Sequence, residues 1–264
     1  MFAKLRIGLA LLCVAVGLAL LVPFAYLGVK TGLYKPRRIR RWCNALILRA
    51  LGFRIHVTGA MAKNRPLLIA ANHVSWTDVM VLASFNDVAF IAKSEMAKWP
   101  LIGGLTRLQG SIFVERDRKR KSGEQASEIA SRLASGDAVV LFAEGTTGDG
   151  NILLPFKSTL FGAAKLAIDE GGADKVFIQP VAISYTRLQG LPMGRQHRAI
   201  AAWVGDQDLV PHVKDLLAEG AIDVEVHFGE PLEFSEGTSR KETARKVEDS
   251  VRSMMNQALR DPKR

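Results

Sequence analysis

His73 and Asp78 stand five residues apart in Ala-Asn-His-Val-Ser-Trp-Thr-Asp, residues 71–78. A carboxylate beside an imidazole fixes its tautomer and raises its basicity, so the pair can take a proton from an attacking hydroxyl. On one continuous helix this spacing sets the two side chains roughly 140° apart, on different faces. They meet only across a bend, with the helix beginning between them. The flanks supply such a bend: Pro66-Leu-Leu-Ile-Ala-Ala71 is an apolar, strand-like run, and residues 78–85 read as helix. Ser75-Trp-Thr-Asp78 reads as a capping box with an acid where Glu or Gln is usual. The plainer reading is a hydrogen-bonded histidine and a helix cap, and the rest of the chain decides between the two.

Three further blocks follow in order: Gly110-Ser-Ile-Phe-Val-Glu-Arg116, Val140-Leu-Phe-Ala-Glu-Gly-Thr146 and Ile178-Gln-Pro-Val-Ala-Ile183. With the first, they resemble the motifs of the glycerolipid acyltransferases, the 1-acylglycerol-3-phosphate acyltransferase (lysophosphatidic acid acyltransferase) family with its His-x4-Asp signature. The resemblance spans 66–187, nearly half the chain. It implies direct acyl transfer from a thioester, acyl-CoA or acyl carrier protein, to a lysophospholipid hydroxyl. His73 is then the base and Asp78 its orienting partner. Arg116 is the contact for the acceptor's phosphate. Glu144, Gly145 and Thr146 form a substrate-binding loop after a strand, where backbone amides can approach an anion. A carboxylate near a phosphate would repel it, so Glu144 is expected to orient a basic group or bond to an acceptor hydroxyl. Lys157 is a second phosphate-contact candidate. Two departures matter. Ala143 replaces the family's Pro, and Thr147-Gly148 replaces its Arg-Ser, which removes a bidentate phosphate binder at that place.

The elements that must hold these residues begin with an apolar front end. Residues 7–29 carry no charge and would reach about 34 Å as a helix, against a hydrocarbon core of about 30 Å. The run is too long for a signal-peptide core, so a retained membrane helix is expected. Lys30, Lys35, Arg37, Arg38, Arg40 and Arg41 follow it and outnumber Lys4 and Arg6. That bias puts the downstream domain on the cytoplasmic side of the membrane. Residues 36–51 read as a basic amphipathic helix lying on the bilayer and closed by Gly52. Residues 1–51 thus form the membrane element and 52–264 the enzyme domain.

Within 52–264, strands are expected at 53–57, 67–71, 88–92, 111–114, 137–142, 176–185 and 222–228, and helices at 98–108, 122–134 and 158–169. A closing helix carries Val247, Val251, Met254, Met255 and Leu259. Strict alternation in 222–228 predicts one wet face near a sheet edge. Helices alternating with strands predict an α/β fold: a mixed, largely parallel open sheet flanked by helices.

The net charge of +10 and pI near 9.8 call for an anionic partner. A nucleic-acid binder fits poorly, because the densest basic run abuts the apolar segment rather than stacking aromatics. A non-catalytic basic membrane adaptor would leave His73, Asp78, Arg116 and Glu144 without a reason to occur together. Cys13 and Cys43 give no disulfide framework, and the five scattered histidines give no metal-ligand spacing, so no metal and no tightly held cofactor are expected. No Gly-x-Ser-x-Gly elbow is present. With these classes set aside, the resemblance implies acylation of the 2-hydroxyl of 1-acylglycerol-3-phosphate, giving phosphatidate, with another lyso-lipid such as lyso-ornithine lipid as the alternative acceptor.

Overall fold

A strand that is apolar at every position needs cover on both faces, and a parallel sheet provides it. Leu67–Ala71 is such a strand. The computed structural model describes residues 2–32, 36–93, 111–114, 122–169, 172–205 and 207–262. It contains β1 (Phe53–Thr58), β2 (Leu67–Ala71), β3 (Ala89–Lys93), β4 (Ile112–Val114), β5 (Ala138–Phe142), β6 (Lys175–Leu188), β7 (Leu191–Pro192), β8 (Ile222–Phe228) and β9 (Leu232–Ser235). The helices are α1 (Phe2–Lys30), α2 (Pro36–Ala50), α3 (Thr77–Phe85), α4 (Ser122–Ala134), α5 (Gly162–Asp169) after a 3-10 turn at Ser158–Phe161, the single turn α6 (Arg195–Arg198), α7 (Leu209–Glu219) and α8 (Arg240–Arg260). The helix expected at 98–108 lies outside the described residues.

The strand order is β1-β8-β6-β2-β5-β3-β4, with β7 and β9 also paired to β6. β2 sits between parallel β5 and β6, and β3 and β4 extend the parallel half. β8 runs antiparallel to β6 and parallel to β1, which makes the sheet mixed. One apolar core joins this sheet to α2, α3 and α7 through residues such as Leu48, Val81, Leu82 and Leu216. The other joins it to α4, α5 and α8 through Leu133, Ala164, Val247 and Val251. The parallel strands β2, β5, β3 and β4 end at one edge, so the first three motif blocks open on that edge.

β8 lies near the edge as expected, one strand inside it, but its alternate face is not wet: Asp223, Glu225 and His227 are buried. Their polar groups pair within the protein. His227 Nε2 meets Glu225 Oε2 at 3.0 Å, and His56 Nε2 of β1 meets Asp223 Oδ1 at 3.1 Å. Alternation therefore marks a buried polar face satisfied by hydrogen-bonded histidine–carboxylate pairs, not a solvated one.

α1 contains the stretch Leu5–Gly28, long and apolar enough to cross a membrane by length and composition. Leu18 and Leu21 pack against Ile39 and Cys43 of α2, while Leu9, Leu12 and Leu20 are exposed. Gly17 permits this contact, because a Cβ there would lie 2.5 Å from a methyl of Leu46. Arg6 donates through Nε to the carbonyl of Leu217 at 2.9 Å and through Nη1 to that of Glu219 at 2.8 Å, at the end of α7. α2 also packs on α3, and Arg40 pairs with Asp87 at 3.1 Å. Ile39, Cys43 and Leu48 of α2 are buried against protein, and Trp42 and Arg38 face outward.

Where β2 ends, Asn72 continues its ladder with a side chain. Its Nδ2 donates to Ile183 O at 2.9 Å and its Oδ1 accepts from Ile183 N at 2.8 Å, all buried. Asn72→Ala would leave both Ile183 groups unpaired. The expected cost is roughly 2–5 kcal/mol, read as a lower denaturant midpoint in detergent with an unchanged m value.

Candidate active site

β2 and β5 end side by side, and their following loops are stitched together. Ala143 N–H donates to Ala71 O at 3.0 Å, and Gly148 N–H donates to His73 O at 2.8 Å. Glu144 completes the seam: its Oε1 accepts from His73 N at 2.7 Å and its Oε2 from Leu154 N at 3.0 Å. Both carboxylate oxygens of Glu144 are thus turned onto backbone amides, and the residue is buried. Its neighbours in the loop remain accessible, Thr146 exposed and Gly145 half-buried. Gly145 has φ +71°, and Lys157 lies over it, its Nζ 2.9 Å from where a Cβ would stand. The backbone conformation favours glycine there, and the absent side chain leaves room for the lysine above it.

The bend between His73 and α3 forms, but not through Ser75. Helix α3 begins at Thr77, its N-cap position is Trp76, and the Ser75 hydroxyl is buried without a partner. Asp78 reaches back instead. Its Oδ2 accepts from Val74 N at 2.7 Å and Ser75 N at 2.9 Å, and also from His73 Nδ1 at 2.9 Å. Its Oδ1 accepts from Tyr185 Oη at 2.5 Å, and Thr77 Oγ1 stands 2.6 Å from the same phenol. Asp78 has no exposed side-chain surface, whereas His73 keeps 19% of its own. The carboxylate can only accept, so Nδ1 carries a hydrogen, and in the neutral imidazole Nε2 is then the nitrogen with the lone pair.

The ring is fixed in a second direction. It stacks on Phe142 with centroids 3.8 Å apart and planes 12° from parallel. The turn itself is held from outside by Trp203 N–H to Val74 O at 2.9 Å and by Trp76 Nε1 to His212 Nδ1 at 3.0 Å.

Burial raises the Tyr185 phenol well above its usual range, and the charge and hydrogen bond of Asp78 raise it further. It therefore stays a donor to Asp78. Burial also raises Glu144, to about 7, against the pull of its two amide bonds and with further upward pushes from Asp78 and Glu248.

The structure thus brings together His73, Asp78, Glu144, Gly145, Thr146 and Lys157. Arg116 lies outside the described residues; β4, which precedes it, ends at the same sheet edge. Tyr185, Phe142 and Asn72 belong to this site by contact and were not singled out from sequence. A signal existed for Tyr185, since a tyrosine inside an apolar strand needs a partner for its hydroxyl.

A histidine with its Nδ1–H held by a buried carboxylate, at the strand ends of a largely parallel sheet, can act as a general base through Nε2. That class of fold and site agrees with the comparisons. A model of the acyltransferase family matches residues 54–184. A lyso-ornithine lipid O-acyltransferase of Brucella abortus is 50% identical over 90% of this chain and 90% of its own. A 1-acyl-sn-glycerol-3-phosphate acyltransferase of Neisseria meningitidis is 29% identical over 79% of this chain and 77% of its own. The crystal structure of the 1-acyl-sn-glycerophosphate acyltransferase PlsC from Thermotoga maritima superposes with a TM-score of 0.66 over 99% of this chain and all of that one, at 20% identity, and so shares the fold. The chain belongs to the acyltransferase family and is an acyltransferase of the lysophospholipid type.

Glu144→Gln tests the seam. An amide cannot accept at both ends, so His73 N or Leu154 N loses its acceptor, at an expected cost of about 1–3 kcal/mol in unfolding free energy. The pH dependence has a definite sign. With a folded pKa raised to about 7, native Glu144 holds a proton that the unfolded chain has released. Its contribution favours the fold in acid and is lost as pH rises through about 7. The glutamine variant should show a flatter fall of stability between about pH 5 and 8, followed by thermal unfolding in detergent.

Proposed function

We propose that this protein is a lyso-ornithine lipid O-acyltransferase that moves a fatty acyl group from acyl-CoA or acyl carrier protein to a hydroxyl of the lyso-lipid. The observation that carries this reading is the 50% identity, across nine-tenths of both chains, to the Brucella protein of that name. Thr147-Gly148 supports it, because the loop lacks the arginine that would grip a phosphate in two places. This order of acceptors reverses the expectation from the motifs alone. Acylation of 1-acylglycerol-3-phosphate stands as the second reading, favoured by the Neisseria relative.

In the mechanism, Nε2 of His73 takes the hydroxyl proton as the acceptor oxygen attacks the thioester carbonyl. The tetrahedral oxyanion collapses, the carbon–sulfur bond breaks, and His73 returns the proton to the departing thiolate. Asp78 stabilises the imidazolium between these transfers, and Phe142 keeps the ring in its plane. Glu144 acts through the backbone, holding the His73 amide in place. Gly145, Thr146, Lys157 and Arg116 are assigned to substrate binding. No metal or tightly held cofactor enters the scheme, and the thioester is a substrate. The α1–α2 pair, residues 1–51, serves as the membrane element, with the 52–264 domain on the cytoplasmic face, in keeping with the basic residues that follow α1.

Positioned general-base catalysis is worth about 10²–10⁴-fold, so His73→Ala should lower kcat with lyso-ornithine lipid by at least about a hundredfold in a protein that still folds, its unfolding midpoint lowered only by the one donor that buried Asp78 loses. In a radiolabelled acyl-transfer assay, lyso-ornithine lipid should outrun lysophosphatidate. Parent-like turnover in the alanine variant would remove His73 from the chemistry. Preference for lysophosphatidate would instead restore the second reading.

A further inference from the structure

Arg198, at the end of α6, is buried to 8% exposure, yet it has no carboxylate partner among the described residues. Its Nη1 donates to the neutral Asn151 Oδ1 at 2.6 Å, and its Nε is buried with no acceptor. A buried guanidinium is ordinarily paired, because an unpaired buried charge is costly. Asn151 does not neutralise it. That side chain is oriented by Asp149, which accepts from Asn151 Nδ2 at 3.1 Å and from Asn151 N at 2.8 Å, and by the carbonyl of Arg195.

The surroundings of Arg198 belong to the site. Asn151 lies on the loop whose Gly148 amide binds the His73 carbonyl, and Gly150 of that loop packs against Val74. On the other side, the turn after Arg198 leads to Trp203, whose N–H binds the Val74 carbonyl. The guanidinium is therefore built between two segments that clasp the His73 turn. Burial lowers Arg198 from the usual arginine range, and neighbouring Arg195 lowers it further, with Asp149 opposing. An external anion would offset those unfavourable interactions.

We propose that Arg198 is an anion subsite that takes the carboxylate of the acceptor's ornithine headgroup, with the guanidinium N–H groups that are neither given to Asn151 nor enclosed as donors. The proposal rests on the lyso-ornithine reading above and names the group that would select this acceptor. A carboxylate accepts two parallel N–H bonds from one guanidinium, a match that a neutral ester cannot reproduce.

The test crosses enzyme and substrate, using the full-length protein in detergent micelles with donor at saturation. Acceptors are lyso-ornithine lipid and its methyl ester, which lacks the charge. For the parent, the ester should raise the acceptor KM at least about tenfold with little change in kcat, and Arg198→Gln should raise the KM of the free acid similarly and abolish the discrimination. Arg198→Lys, which keeps the charge, should give a several-fold rise and carries the test if the glutamine variant does not fold. The KM for the acyl donor should stay within twofold in the folded variants. Equal acceptor KM values for acid and ester in the parent would overturn the proposal. So would undiminished discrimination in a folded Arg198 variant, or an effect confined to the donor KM, which would assign Arg198 to a donor phosphate. An inactive His73→Ala beside such a result would leave the reaction assignment standing and remove only the subsite.

Discussion

The carboxylate of Asp78 has no exposed surface and accepts four hydrogens, from the His73 ring, the Val74 and Ser75 amides and the Tyr185 phenol. A buried carboxylate requires this degree of satisfaction, since any lone pair left unpaired would cost more than the group's contacts return. Each donor also fixes something. The two amides shape the turn between β2 and α3, and the phenol ties that turn to β6. The ring nitrogen is left with only one tautomer. Local backbone shape and imidazole chemistry are therefore set by the same oxygen atoms.

Around this centre the parallel sheet supplies what the turn cannot. β2 and β5 in register bring the His73 loop beside the Glu144 loop, so a second buried carboxylate can hold the His73 amide while the first holds its ring. Asn72 extends the β2 ladder toward β6 where the backbone has already left the sheet. Phe142, the last residue of β5, closes the ring's remaining freedom. His73 is consequently held by hydrogen bonds on two sides and by an aromatic face on a third, a preorganisation that a base acting without covalent help needs.

Much of this was legible in the residues. A five-residue spacing between His73 and Asp78 demanded a strand–turn–helix bend, and the apolar run before it read as a strand; both are present. The mixed sheet and the closing helix were likewise readable from period and length. What stayed hidden depended on contacts far apart in the chain. Ser75 matched a capping pattern, yet Asp78 caps the turn alone because its carboxylate can serve both amides. The alternation of β8 looked like a solvated face, because nothing local reveals that Glu225 has His227, and Asp223 has His56, to pair with. Glu144 read as a substrate-facing acid, and only the adjacency of two loops shows that both its oxygens are engaged by backbone. In the front end, the helical stripe of α2 was plain, but not that α1 and α3 would cover it.

The central claim is that His73 carries its hydrogen on Nδ1, toward Asp78, and offers a bare Nε2 to the acceptor. Nitrogen NMR of the histidine-labelled protein in micelles, with His73→Ala assigning the signal, reads this directly. The expected result for the neutral His73 ring is a protonated Nδ1 and an unprotonated Nε2. A hydrogen found on Nε2, with Nδ1 bare, would contradict the account at its root.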